Sequence, residues 1–130
     1  MEQLTDQFQA TVKSLLIRHQ SILDILSKSQ DTCARVNRAV IKAVTNCGCL
    51  AIDAHKKPLP DNVTLNDLRE LLDSQLEGKL CDNCRFIIEA ELGNQLFYIA
   101  ALANALDISL DDVLKKEEDK LSTLTIFNMS

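Results

Sequence analysis

Four of the five cysteines in this chain come in two close pairs, Cys47-Gly-Cys49 and Cys81-Asp-Asn-Cys84, with Cys33 standing apart. Two residues between thiols, as between Cys81 and Cys84, is the spacing usual in zinc sites, where soft thiolates suit a tetrahedral ion. On the first turn of a helix, where backbone N–H groups stabilise a thiolate, Cys81 and Cys84 would equally suit redox chemistry. The cysteine count is odd, and the opening Met-Glu-Gln-Leu-Thr-Asp lacks the basic-then-apolar layout of a secretory signal. A cytoplasmic protein with free thiols is therefore expected rather than a disulfide frame. Helical spacing weighs against one site built from all four thiols. With antiparallel helices and Cys49 level with Glu91, Cys84 lies about 10 Å further along at ~1.5 Å per residue, while Cys47 and Cys49 point in different directions. Free thiols are the expected state; a zinc site on Cys47, Cys49, Cys81 and Cys84 and a Cys81/Cys84 redox pair are the alternatives.

A second constellation is a stripe. Arg35, Arg38, Lys42, Asn46, Cys49 and Asp53 follow one another at spacings of three and four, which places them on one helix face. The face is either simply solvated or a phosphate-binding surface on which Arg and Lys neutralise the anion. His19 reads as a core histidine, His55 as a partner of a helix C-terminus, and Tyr98 as packing or as a ring facing a ligand. No glycine-rich phosphate loop, nucleophile elbow or HExxH pattern is present.

The elements that carry these residues read as helices. The chain has 130 residues, 46% hydrophobic and 25% charged, with 3 Gly and 2 Pro, a composition for one helical domain rather than a disordered or collagen-like chain. Its net charge of −5 offers no global basic field, so nucleic acid is not an expected partner. The longest apolar run, Leu96 to Ala103, falls well short of the ~20 residues of a membrane span, so no membrane is expected either. Four-three spacing from Phe8 to Leu26 predicts an N-terminal helix within residues 1–30, and Asp31 or Thr32 would cap a second over 32–56 that Pro58 and Pro60 stop. Thr64 and Asp67 form a capping-box pattern before a short third helix, with Gly78 past its end. Core helices over 81–122 follow: one apolar on nearly all sides, then one capped by Ser109, with a docked tail at 123–130.

The segment Glu89 to Leu114, through Leu96-Phe-Tyr-Ile-Ala-Ala-Leu-Ala and Asp107-Ile-Ser-Leu, resembles the late helix pair of the MazG-like, all-α nucleoside triphosphate pyrophosphohydrolases. Thr45-Asn-Cys-Gly-Cys-Leu-Ala51 is similar in frame to that family's EExxE helix. The resemblance implies an all-α bundle of four to five helices completed by dimerisation, a Mg²⁺ site built from carboxylates, and cleavage of a triphosphate between its α- and β-phosphates. On the matching positions Thr45, Asn46, Cys49 and Asn94 replace acids, and Glu91 alone remains. Magnesium requires hard oxygen ligands, so lost or weak hydrolysis is expected, with a nucleotide or phosphorylated ligand bound by Arg35, Arg38, Lys42, Asn46, Cys49, Asn94 and Tyr98. The alternatives are an active enzyme with a rebuilt site of Glu91, Glu89 and Asp53, and a non-catalytic helical homodimer serving regulation.

Overall fold

A computed structural model of the chain describes residues 2–16 and 21–129. It is mostly helical, as expected: α1 spans Glu2–Leu15, α2 Ile22–Lys42, α3 Leu65–Leu71, α4 Asp82–Ala105 and α5 Leu110–Met129. A π-helical turn at Ala43–Cys47 follows α2, and two short strands, β1 (Leu50–Ile52) and β2 (Leu76–Gly78), form an antiparallel pair. The N-terminal helix expected over residues 1–30 ends at Leu15, and a new one starts at Ile22. His19 lies outside the described residues. Asp31 and Thr32 do not begin a helix. Asp31 pairs with Arg35 at 3.1 Å and the Thr32 hydroxyl donates to the Ser29 carbonyl at 2.9 Å, both inside α2.

The chain divides into two compact units, Met1–Arg35 with Glu91–Ser130, and Val36–Ala90. In the first, Val12 of α1, Ile25 of α2 and Ala100 and Ala101 of α4 form the buried core, against which Phe8, Phe97, Tyr98 and Leu110 pack. The two alanines permit close approach of the neighbouring backbone. Gln9 ties this core to the turn between α4 and α5: its Nε2 donates to the Ile108 carbonyl at 2.7 Å and its Oε1 accepts from Leu110 N–H at 2.8 Å. Asn104 Nδ2 donates back to the Gln9 carbonyl at 3.0 Å. Ser109 caps α5 as its sequence predicts, its Oγ accepting from Asp112 N–H at 3.2 Å. Within this unit α4 is not covered on all sides. Leu92, Leu96, Ile99 and Leu106 are between 40% and 55% exposed. By length and composition alone, α4 is long and apolar enough to cross a membrane.

In the second unit the helix expected to run to residue 56 stops early. Thr45 Oγ1 donates to the Ile41 carbonyl at 3.0 Å, a back-bond that bends helices, and Gly48 N–H reaches Ala43 O at 2.9 Å to close the wider π turn. Gly48 then takes the left-handed conformation (φ 80°) and turns the chain out of the helix. Residues 50–52 are therefore a strand, paired Leu50 with Gly78, Ala51 with Glu77 and Ile52 with Leu76. Gly78 lies in β2, not past a helix end, and its φ of 84° also lies in the left-handed region. A side chain there would collide with the Cys49 carbonyl oxygen. Thr64 and Asp67 form the capping box their spacing predicts, and α3 ends at Leu71. Ala43, Leu50, Cys84 and Ile88 make the buried core of this unit.

Candidate metal centre

The hairpin brings the two cysteine pairs together. The Sγ atoms of Cys47, Cys49, Cys81 and Cys84 all lie within 4.8 Å of one another, and the cluster can hold a metal ion. An unbroken helix with ~1.5 Å of rise per residue would put Cys84 about 10 Å away. The π turn and Gly48 remove that premise. Cys47 ends the turn, Cys49 stands on the far side of the glycine, and the two side chains need no longer diverge as they would on a helix. Cys81 immediately precedes α4 and Cys84 sits in its first turn.

The Cys47 and Cys81 sulfurs are 3.7 Å apart. A tetrahedral zinc with Zn–S bonds of about 2.3 Å has sulfur–sulfur edges of about 3.8 Å, so this pair already spans one edge. The Cys84 N–H points at Cys81 Sγ at 3.4 Å. That bond, followed by the Cys84 thiol, pulls Cys81 down to about 7, while Cys84 is pushed up to about 12 by donating to Cys81 and by its burial. For Cys47 the Cys49 N–H acts to lower the value, but the Cys81 and Cys49 thiols outweigh it and the net direction is upward. Cys49 Sγ lies 3.8 Å from the Ala43 carbonyl. The arrangement sets one readily formed thiolate, Cys81, beside Cys47 and Cys84, whose more tightly held protons a cation would displace. Cys84 is buried, Cys49 and Cys81 are half-buried, and Cys47 is exposed. Cys33 lies apart on α2 and is exposed.

The remaining sequence candidates scatter. Lys42 and Asn46 line a cavity of about 230 Å³ with Cys47, Cys84 and Asn83, the last a residue the sequence did not single out. Arg38 is exposed, and Arg35 is engaged by Asp31. Because the helix ends before them, Cys49 and Asp53 leave the predicted stripe. Asp53 Oδ1 lies 3.0 Å from His55 Nδ1, placed to accept from the ring N–H, and both side chains are more than half exposed. His55 thus sits beyond β1, not at a helix end. Glu89 is exposed. In the other unit Asn94 is exposed, Tyr98 stacks edge-on against Phe97 with ring centres 5.1 Å apart, and Glu91 is half-buried. Glu91 Oε2 is buried without a hydrogen-bond partner among the described residues. No family model, curated protein or solved structure matches the chain.

Proposed function

We propose that the chain is a zinc-binding, non-catalytic helical protein of the MazG-like type, in which Cys47, Cys49, Cys81 and Cys84 hold one structural zinc. The convergence of the four sulfurs carries this reading. A closed site of four thiolates leaves no open position for water or substrate, which is the coordination of a structural centre rather than a catalytic one. Such an ion has work to do in the Val36–Ala90 unit, because two strands of three residues are marginal alone and the core beside them is small. Soft thiolates favour zinc over magnesium. Lys42, lining the cavity beside Cys47, offsets the negative charge of a tetrathiolate.

Magnesium-dependent hydrolysis has little to draw on. Asp53 is engaged with His55, Glu89 is exposed, and Glu91 is the one acid left on the family positions. The phosphate-binding reading rests on Lys42 and Asn46, but their cavity of about 230 Å³ is smaller than the ~300 Å³ at which ligand sites begin. Self-association has firmer support: Leu92, Leu96, Ile99 and Leu106 repeat at four, three and seven residues along α4, the spacing of a coiled-coil seam, and stand exposed. We assign that seam to a second copy of the chain. Cobalt substitution tests the centre: a tetrathiolate site gives intense charge-transfer and tetrahedral d–d bands that zinc abolishes. A nucleoside triphosphate panel with Mg²⁺ should then release no pyrophosphate. Absent cobalt bands, or hydrolysis removed by Glu91→Gln, would overturn the reading.

A further inference from the structure

We propose that the zinc centre is also a reversible thiol switch, in which a peroxide joins Cys47 to Cys81 and expels the metal; this rests on the zinc reading above. The pair that would join lies 3.7 Å apart, and it links the two cysteine pairs rather than lying within either. Access is uneven. Cys47 is exposed, whereas Cys84, which lines the same cavity of about 230 Å³, is buried in the apolar cluster with Ala43, Leu50 and Ile88. A small oxidant therefore meets Cys47 first. Bringing the two sulfurs to a bonding distance of about 2.05 Å requires them to close by less than 2 Å. A side-chain carbon at Gly48 would meet nothing within 4 Å, so the turn between Cys47 and Cys49 has room to move.

The step balances with hydrogen peroxide as the oxidant. The Cys47 thiolate attacks one peroxide oxygen, the O–O bond breaks, and Cys47 becomes a sulfenic acid while hydroxide leaves. The Cys81 thiolate then attacks the sulfenic sulfur, the S–O bond breaks and a second hydroxide leaves as the S–S bond forms. Two thiolates lose two electrons, the peroxide gains them, and two protons from solvent convert the hydroxides to water. Cys49 and Cys84 alone cannot complete a four-coordinate site, so zinc dissociates. The new bond closes the same loop from residue 47 to residue 81 that the metal closed, which keeps the hairpin tethered and the change reversible by a thiol reductant.

The test treats the zinc-loaded protein with hydrogen peroxide beside a chromogenic zinc chelator, then alkylates it and maps the peptides by mass. One zinc should leave per chain at a rate proportional to peroxide, leaving a Cys47–Cys81 disulfide with Cys49 and Cys84 recovered as alkylated thiols. Reduction should restore zinc binding, and Cys33→Ser should change the release rate less than about twofold. Zinc that stays bound while Cys33 oxidises would overturn the switch, as would release accompanied by a Cys81–Cys84 bond or by no disulfide. A protein isolated without zinc fails the zinc reading before peroxide is added, so the two failures are distinct.

Discussion

Residues 36–90 bury Ala43, Leu50, Cys84 and Ile88, whereas the unit of residues 1–35 and 91–130 buries Val12, Ile25, Ala100 and Ala101 and leaves Leu92, Leu96, Ile99 and Leu106 exposed. The former has a small buried core, with Ile52, Leu72 and Phe86 among its exposed apolar side chains, and turns four sulfurs toward one point. The latter aligns exposed apolar side chains, Leu92, Leu96, Ile99 and Leu106, at coiled-coil spacing along one helix. Neither pattern suits a finished monomer, but the remedies differ: a cation supplies cross-links that a small core lacks, and a second copy covers a seam that its own unit does not. In the proposed account, metal and self-association are separate supports for separate parts of one chain.

The largest expected effect is on the thiol-rich unit. Cys84→Ser removes a ligand and a core side chain together, and zinc affinity should fall on the order of a thousandfold or more, because structural zinc sites bind with ~10–16 kcal/mol. Hydrogen exchange should show β1 and β2 losing protection while Val12 and Ala100 keep theirs. Equal loss in both units would break the contrast. Next come two glycines with similar φ and different surroundings. Gly78→Ala meets the Cys49 carbonyl and should cost about 2–4 kcal/mol in chemical unfolding, whereas Gly48→Ala meets nothing within 4 Å and should cost only the left-handed penalty of about 1–2 kcal/mol. Reversal of that order would place the tight approach elsewhere.

Leu96→Lys should act on association rather than on fold. Leu96 is 52% exposed, so the substituted chain should keep its helical circular dichroism and its zinc while light scattering reports a monomer in place of a dimer. The smallest effect is a pH dependence in the metal-free protein. Cys81 is held down to about 7 from 9.0, so the stability it contributes is present above pH 9 and is lost as pH falls through 7. Cys84 is raised to about 12, and its contribution is present below pH 9 and lost as pH rises toward 12. In chelator, iodoacetamide should modify Cys81 with a midpoint near pH 7 and leave Cys84 the slowest of the four. Mass mapping across pH 6–9 checks both.

Local signals were legible and compensating ones were not. The Thr64/Asp67 capping box and the Ser109 cap are set by residues three apart, and both form as their spacing predicts. The four-three apolar rhythm through Val40, Ala43, Cys47 and Leu50 reads as continuous helix, and nothing in it shows that Thr45 bonds back to Ile41 and that Gly48 leaves the helix. Strands of three residues are too short to show an alternation. The cysteines themselves were visible, but their convergence depends on the hairpin, and the glycine between Cys47 and Cys49 was the one sign that they lay on a turn. The exposed seam on α4 was hidden for the opposite reason, since an apolar helix reads the same whether its own chain or a second copy covers it.

Elemental analysis of protein expressed and purified without added metal, with free thiols counted before and after denaturation in chelator, addresses the zinc centre most directly. The account predicts one zinc per chain, no stoichiometric iron, and four thiols that become reactive only when the zinc is withdrawn. Zinc near zero in protein whose four clustered thiols react freely while β1 and β2 remain protected from exchange would contradict it.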